Sequence, residues 1–227
     1  GYSVFEGRTH GIRSVLRTFV PLDAPLRYTV LTLRNDSDAP RRLCATGYVD
    51  WQLDAESGAP GRQVVTSTDQ ASGALFARNA FGTGFADKVA FFHLEADTLA
   101  ATCDRNEFIG RGSLAHPAAL GRTTLSGRAG AGLDACAALQ TGFTLAPGEE
   151  RALVFVLGVT GPASLEASRV VQRHGGARAA AAAWDALRAW WDGTLGALQV
   201  ASPDAGFDLR LNGWLPYQAI NAMLGEP

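Results

Sequence analysis

Lysine is almost absent from this 227-residue chain: of its 20 basic residues only Lys88 is not arginine. A coding sequence rich in G and C, which also enriches Ala, Gly and Pro, accounts for the bias, and it assigns no function. Cysteine is scarce as well. Cys44, Cys103 and Cys136 are odd in number, lie 59 and 33 residues apart and form no CxxC pair. His10, His93, His116 and His174 are equally scattered. Neither a disulfide framework nor a Cys/His zinc site therefore has local support. Each cysteine lies in or beside an apolar stretch and is expected to be a small buried hydrophobe. Three reduced thiols favour a reducing, cytoplasmic compartment.

Long apolar runs are missing too. The sequence lacks the ~18 uninterrupted apolar residues of a membrane span. No basic segment leads into an apolar one after Gly1, so no signal peptide is expected. The formal charge of −2 carries no like-charge block, which excludes the basic footprint of a nucleic-acid binder. Gly127-Arg128-Ala129-Gly130-Ala131-Gly132 is glycine-rich but lacks the GxGxxG order, and no lysine follows it, so phosphate-cradling loops are excluded. No GxSxG elbow, HExxH helix or EF-hand loop is present. Asn35-Asp36-Ser37 matches a glycosylation sequon but reads as turn chemistry.

What remains is an ordinary globular composition: 47% hydrophobic residues against 19% charged ones rule out a disordered tail. A domain of about 150 residues is the usual size, so the chain allows one large domain plus an appendage. Residues 1 to about 160 carry short β-like segments separated by turns. Leu26, Tyr28 and Val30 alternate with Arg27 and Thr29 before the break at Asn35 to Pro40. Leu43–Trp51 follows, then a Gly/Pro loop at Gly58-Ala59-Pro60-Gly61. Val64–Thr68 and Ala74–Ala77 flank a hairpin connection at Asp69 to Gly73. Val89–Leu94, Leu99–Cys103, Leu139–Leu145 and Leu153–Val159 complete the set, with a turn at Ala146 to Glu150 before the last. Many short strands without intervening helices predict an antiparallel sandwich.

From Pro162 the period becomes helical. Leu165–His174 is predicted as a short helix stopped by Gly175-Gly176, and Ala177–Leu198 as a second. In the latter Trp184, Leu187, Trp191, Leu195 and Leu198 share one face and are expected in the core, leaving Trp190 to meet a partner surface. A third helical piece, Phe207–Leu224, is predicted after a cap at Asp204. The expected fold is thus mainly β with a C-terminal helical segment: a sandwich over 1–161, a helical linker over 162–202, and a further helix over 203–227. The apolar stripe of that last helix has no partner in the sequence, so we expect the chain to be a piece of a longer protein.

The candidate chemistry lies in Asp104 to Asp134, about thirty residues with little strand pattern, a length at which loops are often functional. Asp104, Arg105, Glu107 and Arg111 could hydrogen-bond sugar hydroxyls. The competing reading, which weighs more on residue types alone, is that they dock the loop or satisfy backbone groups. His10 is expected to be a turn residue and Glu149-Glu150 a solvated turn. No two carboxylates can be paired across a glycosidase cleft from sequence.

Several segments, taken in order, resemble the glycoside hydrolase 94 family of cellobiose and chitobiose phosphorylases. They are Gly1-Tyr2-Ser3-Val4-Phe5-Glu6, Phe19-Val20-Pro21, Arg34-Asn35 and Tyr48-Val49-Asp50-Trp51. Asp104-Arg105, Phe108-Ile109-Gly110-Arg111, Leu114, Pro117, Leu120, Leu133 to Gln140 and Leu145 to Glu149 continue the resemblance. Leu211 to Leu215 with Tyr217-Gln218 end it. The likeness is greatest to the phosphorylase-like region of cyclic β-1,2-glucan synthases. It implies a β-supersandwich, a helical linker and the start of an (α/α)6 barrel. The implied reaction is inverting phosphorolysis of a β-glucoside: a barrel acid protonates the leaving oxygen while inorganic phosphate, the co-substrate, attacks the opposite face. The positions of that acid, of the Arg-Asp sugar clamp and of the phosphate residues would lie beyond Pro227. No catalytic residue, metal or cofactor is therefore assigned, and the chain is expected to be inactive alone.

The resemblance also implies a β-glucan or β-linked disaccharide as substrate of the parent, a homodimer at full length, and a place in the cytoplasm or on the cytoplasmic side of the inner membrane. Two alternatives stay open. One is a free-standing carbohydrate-binding or scaffold module; the other is a self-contained glycosidase using Asp/Glu residues of the sandwich, for which Asp104 and Glu107 are the residues to test by mutation.

Overall fold

The computed structural model describes residues 1–53, 63–81, 84–122 and 124–224. The Gly/Pro loop expected at residues 58–61 lies outside them. Among the described residues, ten strands form two antiparallel sheets. The strands are β1 (Tyr2–Thr9), β2 (Ile12–Phe19), β3 (Leu26–Asn35), β4 (Arg41–Asp50), β5 (Val65–Thr68), β6 (Leu75–Arg78), β7 (Val89–Leu94), β8 (Ala100–Asp104), β9 (Ala135–Leu145) and β10 (Glu150–Thr160). The larger sheet runs β1-β2-β3-β10-β7-β6-β5, and the smaller runs β4-β9-β8.

Alternation along the strands explains the layering. Leu31, Leu153, Phe155, Phe92 and Leu75 face the small sheet, where Ala45, Ala137 and Leu139 meet them. Their neighbours in sequence, Val30, Val154, Val156, Phe91 and Phe76, face the opposite way, as Tyr28 does, onto helices. A strand covered on both faces loses the polar half of its pattern. All six residues of β7 are buried accordingly. Gly47 on β4 makes close approach possible: a Cβ there would lie 2.5 Å from Phe155 Cε1 and 2.7 Å from Phe92 Cζ.

Helix α2 (Ser164–His174) and helix α3 (Ala177–Gly196) cover the outer face of the large sheet. Ala167, Val171, Ala180 and Leu187 are the buried contacts. Tyr28, fully buried on β3, donates its hydroxyl to the His174 carbonyl at 2.9 Å and ties the end of α2 to the sheet. Trp184 packs edge-on against Phe19 and Tyr2, with the Arg17 guanidinium 4.2 Å from its ring centre. Gly176, at φ 97°, makes the break between the helices in a conformation that disfavours a side chain.

The expected single face of α3 holds only in part. Trp184, Leu187 and Trp191 pack inward, whereas Leu198 is 72% exposed because α3 ends at Gly196. Trp190 is exposed, as expected. The last helical piece is a chain of three: α4 (Ala205–Leu209), a π-helical turn over Arg210–Trp214, and α5 (Leu215–Leu224). Asp204 caps it, accepting from Gly206 and Phe207 N–H. Asn212 clamps the segment to the preceding loop by bonding both the N–H and the carbonyl of Val200, at 2.7 and 2.8 Å.

Two further expectations need correction. Cys44 is exposed rather than buried, since even-numbered residues of β4 point away from the inter-sheet core. β9 begins at Ala135, four residues before the predicted strand, because small alanines carry the buried pattern there. Asn35 is fully buried and donates to the carbonyls of Ala39 and Leu145. It also accepts from the Ser37 N–H, so it is turn chemistry.

Candidate functional site

The segment from Asp104 to Asp134 lies over the outer face of the small sheet. It is less irregular than its sequence suggests. Helix α1 (Arg105–Ile109) and a 3-10 turn at Ala118–Gly121 organise it around Phe108 and Ala119. Asp104 is 5% exposed and starts α1: its Oδ1 accepts from Asn106 N–H at 3.0 Å. Its Oδ2 accepts from Arg128 Nη1 at 2.7 Å. One carboxylate thus caps the helix and anchors the return of the loop.

Arg105 turns the other way. Its Nη1 lies 3.5 Å from Asp134 Oδ2 and its Nε 3.8 Å from Asp50 Oδ2. The Tyr48 hydroxyl sits beside the guanidinium, and the Tyr48 ring stacks on Phe108 with centroids 4.8 Å apart. Burial, then the neighbouring Cys136 and Asp50, push the Tyr48 hydroxyl up to about 12, against the pull of Arg105. Glu107 bends back onto β8. Its Oε2 accepts from the hydroxyls of Thr102 and Ser126, both at 2.5 Å, and its Oε1 accepts from Ser126 N–H at 2.8 Å. Burial pushes this carboxyl upward, but the hydrogen bonds from Ser126 and Thr102 outweigh it and hold the group below the ordinary glutamate value.

Asp104, Arg105 and Glu107 are therefore gathered at one helix end, each engaged with groups of the same chain. Arg111, past Gly110 at φ 58°, is exposed and has no side-chain hydrogen bond or ion pair among the described residues. The glycines that follow serve the loop's path. Gly127 N–H donates to Ala101 O, Cys103 N–H to Arg128 O, and Thr66 N–H to Gly130 O. The loop so covers the free edge of β8 and reaches β5, satisfying edge groups that would otherwise be open to pairing. Gly127, Gly130 and Gly132 take φ values of 72°, 144° and 74°, which few other residues adopt.

His10 is a turn residue at φ 50° whose carbonyl accepts from Arg41. Glu149 serves the β9–β10 turn, accepting from Ala146 N–H at 2.7 Å. Among the described residues no three His, Cys, Asp or Glu side chains converge in a metal-binding group. Sequence reading passed over Gln140, which is 3% exposed on β9 with its amide oxygen unpartnered. Its signal was available: it is the first long polar side chain after the run Ala135 to Leu139.

Residues 1–177 match the family model described as Glycosyl hydrolase 94, supersandwich domain. The chain is 32% identical over 226 residues to the cyclic beta-(1,2)-glucan synthase NdvB of Rhizobium meliloti (strain 1021), covering 99% of this chain and 8% of that protein. It is 29% identical to the N,N'-diacetylchitobiose phosphorylase of Vibrio furnissii, covering 96% of this chain and 28% of the relative. The phosphorylase of the same name from Vibrio proteolyticus is 26% identical, again over 96% of this chain and 28% of its own length. The chain thus spans less than a third of each curated relative it matches. Through its supersandwich domain, this chain belongs to the glycosyl hydrolase 94 family.

Proposed function

We propose that the chain is the non-catalytic sandwich-and-linker portion of a longer glycoside phosphorylase or cyclic β-1,2-glucan synthase. In this reading residues 1–161 are the supersandwich, 162–202 the linker, and 203–227 the first helix of an (α/α)6 barrel. The parent would transfer glycosyl groups by inverting phosphorolysis of β-glucosides, with inorganic phosphate as co-substrate and no cofactor. The observation that supports this most is an unpartnered apolar surface at the C-terminal end. Phe207, Leu209, Trp214, Leu215 and Met223 are each at least half exposed, although hydrophobic residues dominate α4 and α5. A large exposed apolar patch is unfavourable unless another surface covers it, and a following barrel supplies one.

The same reading makes the Asp104–Arg111 loop chiefly a structural brace. Its two carboxylates already accept several hydrogen bonds each, which disfavours a glycosidase built on Asp104 and Glu107. Arg111, exposed and without a side-chain partner among the described residues, is the one of the four with donors free at the surface to lend to a sugar site, since the unpartnered Nε of Arg105 is buried. Homodimerisation belongs to the proposal too: β1 is an edge strand exposed along its whole length, and its apolar residues Val4 and Phe5 are solvent-accessible. A cytoplasmic location, or the cytoplasmic face of the inner membrane, completes it.

Replacing both Leu209 and Trp214 by serine tests the covering of that C-terminal apolar surface directly. The pair should leave the isolated chain's urea midpoint unchanged, yet lower the melting temperature of the longer protein that carries the barrel. A marked loss in the isolated chain, or none in the longer protein, would contradict the proposal.

A further inference from the structure

We infer that the uncovered part of the small sheet's outer face is a second ligand site, built for a polyhydroxylated chain and separate from the Asp104–Arg111 loop. The register sets out its floor. Cys44 on β4 lies opposite Gly142 on β9, Arg42 opposite Thr144, and Thr46 and Ala100 flank Gln140. The loop covers this face only at its other end, around Tyr48 and Ala138. Leu120, Gly121, Arg122 and Thr124 then form the rim of a cleft of about 660 Å³. That volume falls in the usual range for small-molecule sites.

Two features mark the cleft as more than a gap. Gly142 leaves its middle open: a Cβ there would meet only the Leu43 carbonyl, at 3.9 Å. Gln140, 97% buried by its 3% exposure, lines the same cleft with half of its amide unsatisfied. The other half bonds Thr46 Oγ1 at 3.3 Å. An unpaired buried amide atom is costly, and a rotation about the soft terminal torsion brings it to a ligand.

The lining selects the ligand. The amide can face either way, so the unsatisfied atom is an acceptor in one orientation and a donor in the other. A hydroxyl, which donates and accepts, satisfies both; a phosphate oxygen satisfies only one. Thr98, Thr124 and Thr144 add hydroxyls, and Arg42 and Arg122 add donors. No carboxylate is among the lining residues, so a cation is not favoured. Leu120, 54% exposed, offers an apolar contact for the C–H face of a sugar ring. The choice of a β-linked gluco-oligosaccharide rests on the proposed parent reaction, whereas the cleft itself does not.

The test titrates the 227-residue chain with a linear β-1,2-gluco-oligosaccharide. Saturable binding is expected, weakened at least tenfold by Gly142→Trp, which fills the cleft, and by Gln140→Leu, and unchanged by Arg169→Ala on helix α2, outside the cleft. Alkylation of Cys44 by iodoacetamide should slow in the presence of the oligosaccharide, which reads the cleft without any substitution. Absence of binding, binding indifferent to both cleft substitutions, or equal protection of Cys44 by inorganic phosphate would overturn the inference. None of these readouts involves Leu209, Trp214 or sugar 1-phosphate release, so failure of the parent-enzyme reading is registered separately.

Discussion

Asp104 and Arg128 are joined at 2.7 Å across the base of the loop, while the other oxygen of the same carboxylate caps helix α1. A sugar-binding carboxylate would have to give up one of these roles. The structural role predicts a stability effect: Asp104→Ala should cost about 2 kcal/mol, combining a lost helix cap with a buried hydrogen bond. Asp104→Asn, which can still cap, should cost about half of that by the same reckoning. Urea denaturation of both variants checks the order. Equal, negligible losses would remove Asp104 from the loop's framework.

Glu107 predicts an acid limb in stability. Its folded-state value is held below the unfolded one by Ser126 and Thr102, despite opposition from burial. The contribution is therefore complete above the unfolded glutamate value of ~4.3 and is lost as pH falls through the lower folded value. Glu107→Gln should flatten the fall in stability across that acid window. Denaturation midpoints measured between neutral pH and about pH 3 show whether it does.

Gly47 predicts an overpacking defect. A methyl group at this position meets the stacked rings of Phe92 and Phe155, which are held between the sheets. Gly47→Ala should destabilise the chain by about 1–3 kcal/mol, a cost typical of inserting a methyl into a packed core. Gly142→Ala on the neighbouring strand, with open space above it, should be nearly neutral. The contrast within one sheet is the informative quantity.

The cysteines predict one fast thiol and two slow ones. Cys44 is exposed, whereas burial pushes Cys103 up to about 11 and pushes Cys136 higher still. Thiolate is the reacting form, so the two buried groups should react only on unfolding. Labelling in native buffer followed by mass spectrometry of the peptides should find the modification at Cys44.

Much of this fold was legible from periodicity. β7, β10 and the hairpin β5–β6 are where alternation or apolar runs place them, and α2 stops at the glycines expected to stop it. The misses share a cause: the sequence does not state what lies above a surface. Cys44 looks buried in a list of apolar neighbours, yet the face it shares with Arg42 is left open by the loop. The early start of β9 is hidden because Ala135, Ala137 and Ala138 pack on both faces without the bulk that usually marks a strand. In the loop, residue types favour docking or backbone satisfaction over a sugar contact but do not name the partners. The fold pairs Asp104 with Arg128, Arg105 with Asp134 and Glu107 with Ser126. Gln140 is the reverse case, a polar residue whose buried amide is left half satisfied.

The central claim is that this chain supports chemistry performed elsewhere in a longer protein. Its most direct test is an assay of the purified 227 residues with inorganic phosphate and, in turn, cellobiose, N,N'-diacetylchitobiose and a β-1,2-gluco-oligosaccharide. The account predicts no sugar 1-phosphate above the enzyme-free control. Sustained release that is lost on Asp104→Asn or Glu107→Gln would contradict it and place the catalytic acid within this domain.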